Sequence, residues 1–192
     1  MKIDEIPWNE LTHAYGSAED VPDLIRNLTT TDSELFEETI NELFGNIWHQ
    51  GTIYEATVYA LPFLIDILRE NKVIDNSYVA TLIASIVSGK GYYQVHSKVE
   101  IINQPENLEE LLDKENEVVI KIRETSLGTV DLLMPFLTHE SSEVRRSISE
   151  AFGCFPSQSL KLLPILKARL ECEEDEEVME QLEESIAKYT SC

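Results

Sequence analysis

Positive charge is what this sequence has least of. Fifteen lysines and arginines stand against thirty-six aspartates and glutamates, a formal net charge of −21. A protein that grips nucleic acid needs a cationic footprint to release phosphate counterions, and an anionic membrane surface makes the same demand. Neither partner is expected here, whereas a basic protein would be attracted. Cysteine is sparse too. Cys154, Cys172 and Cys192 cannot all pair within one chain, and none sits in a C-x-x-C, which fits a reduced, cytoplasmic setting. The opening "MKIDEIPWNELTHAYG" has no apolar run of the secretory kind, and no later run reaches membrane length. Glycine is scarce, with seven in all, and no Asn-Gly or Asp-Gly hairpin turn occurs, so strands are not expected.

Signatures of catalysis are missing as well. There is no H-x-x-x-H or H-E-x-x-H and no cysteine pair at zinc spacing. There is no G-x-S-x-G, P-loop or G-x-G-x-x-G; Gly89-Lys90-Gly91 has neither the P-loop spacing nor a preceding strand. No enzyme activity, cofactor or metal is expected.

What is present is helical periodicity. With 43% hydrophobic residues the 192-residue chain can bury a core, and 1–192 reads as a single domain. In "LFEETINELFGNIW", Phe36, Ile40, Leu43, Phe44 and Ile47 recur at i+3 and i+4, as do Val144, Ile148, Ala151, Phe152 and Phe155 in "EVRRSISEAFGCF". "TTDSELFEETINELFG" (30–45) lies over "THESSEVRRSISEAFG" (138–153) without a gap. A Pro two residues before a Leu recurs in "VPDL", "LPFL", "MPFL" and "LPIL". A Pro-bearing helix, a short polar turn and a second amphipathic helix form the unit of an α-solenoid, which must stack on its neighbours to bury its apolar face. The expected fold is all-α, an α-solenoid superhelix of about four to five pairs. The pairs fall near 20–29 with 33–48, 53–70 with 76–88, 106–113 with 116–127, 129–138 with 142–154, and 158–170 with 175–189. Residues 1–19 form an N-terminal cap with Trp8 and Leu11 turned inward, and 89–105 an irregular insertion.

Three connections are rich in histidine and tyrosine. In "NIWHQGTIYEAT", Gly51 reads as the residue that ends the helix over 33–48, and Thr52-x-x-Glu55 as a capping box for the next. That reading leaves His49, Gln50 and Tyr54 without a structural duty. His13 and Tyr15 precede the first pair; Tyr93 and His96 lie in the insertion. Successive connections of a solenoid align along one edge, and exposed connections collect binding residues. His13, Tyr15, His49, Gln50, Tyr54, Tyr93 and His96 are therefore candidate binding residues. Three histidines would hold a metal only if the fold gathered them all.

"HESSEVRRSISEAFG", with its Val144-Arg145 pair, resembles the turn and second helix of a HEAT repeat; the matching positions in the first unit are Phe36 and Glu37. The stretches from Trp8 to Pro22 (W-x-x-L-x-H-A-Y-G-x-A-x-D-x-P), His49 to Thr57 (H-Q-G-T-x-Y-x-A-T) and Tyr93 to His96 resemble a bacterial group of HEAT-repeat proteins. Some of its members look like immunity proteins of toxin systems. The resemblance implies a cytoplasmic protein-binding module, an immunity-type protein that neutralises a toxin by direct contact. The acidic charge makes that toxin basic, with Glu34, Glu37, Glu38 and Glu42 as a candidate surface for it. The alternatives are a small-ligand binder or enzyme using the His/Tyr edge, or a plain scaffold.

Overall fold

The computed structural model describes residues 2–96 and 105–190, and these are mostly helical. Residues 97–104 of the expected insertion, Lys98 included, and Cys192 lie outside the described residues. No helix among the described residues is long and apolar enough to cross a membrane.

The first two pairs are α1 (Val21–Asn27) with α2 (Ser33–Asn46), and α3 (Glu55–Glu70) with α4 (Asn76–Ser88). After α4 come a short α5 (Tyr92–His96) and a long α6 (Leu108–Ser126). A turn of helix, α7 (Val130–Leu133), runs into a 3-10 segment (Met134–Thr138) that packs on α8 (Ser142–Phe152). The chain ends with α9 (Ser159–Leu170) against α10 (Glu176–Thr190). One row of contacts runs α2–α4–α8–α10 and a second runs α1–α3–α6. Between them lies one continuous core, from Ile6 to Leu182, with Phe152 and Phe155 its largest fully buried side chains.

The expected third pair, 106–113 with 116–127, is a single helix. No Gly or Pro interrupts "LEELLDKENEVVIKIRETS", and Glu110 pairs with Lys114 at 2.8 Å across the proposed break. Nothing in those residues stops a helix.

Helix starts follow side-chain chemistry. Asp32 caps α2 by accepting from the backbone N–H groups of Glu34 and Leu35 at 3.0 and 3.3 Å. Asp75 and Ser141 serve α4 and α8 in the same way. Gly153, at the end of α8, permits a close crossing: a Cβ there would sit 2.7 Å from Ser185 Oγ of α10. Ser185 Oγ instead donates to the Ser149 carbonyl at 2.8 Å.

The last pair is tied to α8 by a buried ion cluster. Arg145 donates from Nε and Nη2 to the two carboxylate oxygens of Glu173 at 2.9 and 2.8 Å. Arg169 adds bonds at 3.0 and 2.5 Å, and the Glu174 and Asp175 N–H groups add two at 3.1 Å. Arg145 also donates to the carbonyls of His139 and Glu140. The Arg145 guanidinium first, with Arg169 and the backbone donors behind it, holds the Glu173 carboxyl well below the usual carboxylate range against the opposing effect of burial. The same pairing raises Arg145.

The expectation of no strands is corrected. Two small antiparallel hairpins exist, β1 (Thr12–His13) with β2 (Gly16–Ser17) and β3 (Trp48–His49) with β4 (Thr52–Ile53). In the second, Gln50 has φ 50° and Gly51 φ 89°. Positive φ at both central residues is the mirror-image two-residue turn that suits strand twist, usually written Asn-Gly. Here Gln holds the place of Asn, so the usual hairpin dipeptide is absent. Gly51 therefore does not end a helix: α2 stops at Asn46, with Ile47 its C-cap. Thr52 is a strand residue and not a cap; Tyr54 precedes α3, and its N–H donates to Thr57 Oγ1 at 2.9 Å.

Candidate binding groove and the histidine joint

The two hairpins stand side by side at one end of the α1–α2 pair. The Ala14 N–H donates to the Asn46 carbonyl at the end of α2 at 3.0 Å. His13 is 8% exposed, and both its ring nitrogens are used within the chain. Nδ1 accepts from the Tyr15 N–H at 3.0 Å, which leaves Nε2 to carry the proton and donate to Asp20 Oδ1 at 3.0 Å. Asn46 Nδ2 donates to the other Asp20 oxygen at 2.5 Å. The histidine of the "HAYG" string is thus a structural pin between the first hairpin, the start of α1 and the end of α2.

Tyr15 is different. It is 70% exposed, its ring meets His49 edge to face with centroids 5.4 Å apart, and its hydroxyl is 3.4 Å from His49 Nδ1. Below them Thr52 Oγ1 donates to the His49 carbonyl at 2.7 Å and so receives the Tyr54 hydroxyl at 2.7 Å. Burial, opposed by that hydrogen bond, raises the Tyr54 hydroxyl above its ordinary pKa.

The segment after α4 binds the second hairpin from the far side. The Ile53 N–H donates to the Lys90 carbonyl at 2.9 Å, and the Lys90 N–H donates to the Gly51 carbonyl at 3.0 Å. Gly89 permits this, because a Cβ there would lie 2.5 Å from Ile53 Cγ2. Glu115 of α6 then caps α5, accepting from the Tyr93 and Gln94 N–H groups at 2.8 and 3.0 Å. A Cβ at Gly91 would overlap that carboxylate. So the glycines of "GKG" admit neighbours and cradle no phosphate. His96 stacks on Tyr92, centroids 4.3 Å apart, and donates from Nδ1 to the Tyr92 carbonyl at 2.8 Å.

The seven candidate residues therefore separate. His13, Tyr15 and His49 form one contiguous joint. Gln50 faces a groove, Tyr54 and Tyr93 face a different cleft, and His96 ends α5, stacked on Tyr92. No group of three or more His, Cys, Asp or Glu side chains among the described residues is arranged to hold a metal ion.

The groove is an open channel of about 810 Å³ over α2, α4 and α8. Its floor is a stripe of hydroxyls on α4, Ser77, Thr81, Ser85 and Ser88. Thr81 Oγ1 is buried without a hydrogen-bond partner. Phe44, Trp48 and Tyr78 make an aromatic wall, with Phe44 and Trp48 packed edge to face at 5.9 Å. Gln50 and Gly51 of the second hairpin close one end. Asp75, Glu140, Glu143 and Glu150 line the groove against the single arginine Arg146. Glu34, Glu37, Glu38 and Glu42 are all exposed on α2, whose Asn41 also lines the groove. The hydroxyl stripe was missed in the sequence, although its spacing along an otherwise apolar helix is visible in "NSYVATLIASIVS". Comparison with protein-family models, curated proteins and solved structures returns no significant match.

Proposed function

We propose that this chain is a short α-solenoid of the HEAT type that works in the cytoplasm as a protein-binding module. In this reading it is an immunity-type protein that neutralises a basic toxin by direct contact. The observation that carries the reading is the groove: aromatic anchors and a hydroxyl-bearing floor beside four carboxylates and one arginine, on a chain of net charge −21. Aromatic anchors supply interface energy, and complementary charge supplies orientation and a salt-dependent association rate. The acids of α2, Glu34, Glu37, Glu38 and Glu42, extend the same potential beyond Asn41. Tyr15, His49 and Gln50 offer an exposed rim beside it.

The test is a pull-down of tagged protein from its own host at low and high salt, with Ser85→Arg alongside. That variant puts a long cation on the groove floor. A single stoichiometric basic partner, weakened by salt and lost in the variant, is the expected result. A partner retained equally by the variant removes the groove from the reading, and a partner that is acidic overturns it.

A further inference from the structure

A second cleft, also about 810 Å³, lies away from the groove, between α3 and α6. Its walls are apolar: Val58, Tyr59 and Pro62 from α3 face Leu111 and Val118 from α6. Tyr54, Tyr92 and Tyr93 close one end, and Tyr92 meets Tyr93 edge to face at 5.3 Å. Apolar concavities of this size with a few placed polar groups suit small molecules.

The charged groups of the lining are two lysines and three glutamates. Pro62 sits inside α3 and has no N–H to give to the Val58 carbonyl one turn earlier. Lys114 and Lys121 lie two turns apart on the α6 face of the cleft. Lys114 is held by Glu110. Lys121 has no carboxylate within ion-pair distance among the described residues, although the chain has more than twice as many acids as bases. Of the three acids that line the cleft, Glu115 has both oxygens engaged by α5, while Glu55 and Glu117 are exposed.

We infer that this cleft binds a small amphipathic anion, an aromatic or alkyl body carrying one carboxylate or sulfonate, with the body between Val58 and Val118 and the anion at Lys121. The tyrosine end accepts the ring or chain, and the lysine end, open to water, accepts the charge. This site is separate from the groove and stands or falls without it.

Two fluorescent probes of nearly one shape test it: anilinonaphthalene sulfonate, which is anionic, and N-phenyl-1-naphthylamine, which is not. Both should bind the full chain saturably at one site. Val118→Trp, which fills the cleft, should weaken both by about tenfold or more. Lys121→Glu, at an exposed position, should weaken the sulfonate by a similar factor and leave the neutral probe unchanged. Melting curves by circular dichroism establish that each variant folds. Absence of saturable binding, or binding indifferent to Val118→Trp, overturns the site. Loss of both probes, or of neither, in Lys121→Glu overturns the anionic class of ligand.

Discussion

Replacing Glu173 by Gln keeps the shape of the side chain and removes its charge. The carboxylate side chain is 1% exposed and the Arg145 and Arg169 side chains 12% and 19%, so water cannot make up the loss. Oε1 accepts from Arg145 Nη2 and the Glu174 and Asp175 N–H groups; Oε2 accepts from Arg145 Nε and from two nitrogens of Arg169. Whichever way the amide turns, its NH₂ faces donors. Two guanidinium groups are left largely buried without a counter-charge. Breaking a buried pair from one side costs about 3–5 kcal/mol. At about 2–4 °C per kcal/mol for a chain of this length, the melting temperature should fall by roughly 6–20 °C. The acid limb supplies a second reading. A carboxyl whose folded pKa is depressed contributes stability that is present above its unfolded value, about 4.3, and lost as pH falls through the folded value. The difference between wild type and Glu173→Gln should therefore be full at pH 7 and shrink below about pH 4. Thermal melts from pH 3 to 8 measure both effects, with Glu174→Gln at the neighbouring exposed carboxylate as the control. A drop of less than about 2 °C at pH 7, or a difference that does not shrink in acid, refutes the clamp.

Four further outcomes follow from the same geometry. Gly91→Ala should destabilise by about 1–3 kcal/mol in denaturant melts, because the new methyl displaces the Glu115 carboxylate that caps α5. Gly51→Val should cost about 1–2 kcal/mol, since a β-branched residue resists the φ of 89° that the turn needs. His13→Ala should lower stability by about 1–3 kcal/mol by orphaning Asp20 and the Tyr15 N–H, whereas His49→Ala should leave the melting temperature within about 2 °C. Tyr189, whose hydroxyl reaches the carbonyls of Phe152 and Phe155, is pushed up to about 12 by burial. A raised folded pKa keeps its stabilisation below the unfolded value, about 10, and loses it above, so Tyr189→Phe should flatten the alkaline decline of stability between about pH 10 and 12.

Much of the helical frame was legible because it rests on local rules. The four recurring Pro-x-Leu strings reported where helices lie, and Phe36, Ile40, Val144 and Ile148 reported which faces are buried. The misread hairpin came from dependence on partners distant in sequence. Gln50-Gly51 looks like a helix stop until β3 finds β4 and Lys90 adds its bonds from forty residues away. The break expected at Lys114-Glu115 is a different error, since no Gly or Pro in "LEELLDKENEVVIKIRETS" stops a helix there. The candidate site suffered as the hairpin did. His13 and His49 have the same local flavour, yet Asp20 and Asn46 turn the first into a pin and leave the second at the rim. The α4 hydroxyls were readable as a stripe, but only the placement of α2 and α8 makes that stripe a floor.

α4 has a further consequence for how the molecule comes apart. In a strictly linear array each unit meets only its two neighbours, so an end can fray at the cost of one interface. α4 meets α2, α3, α6 and α8 and is buried on nearly every side. Fraying that begins at α1 or at α10 reaches this helix and stops, because to free it is to dissolve four interfaces together. Opening of the molecule should therefore be graded at both ends and all-or-none in the middle, with the amides of residues 79–87 the last to exchange.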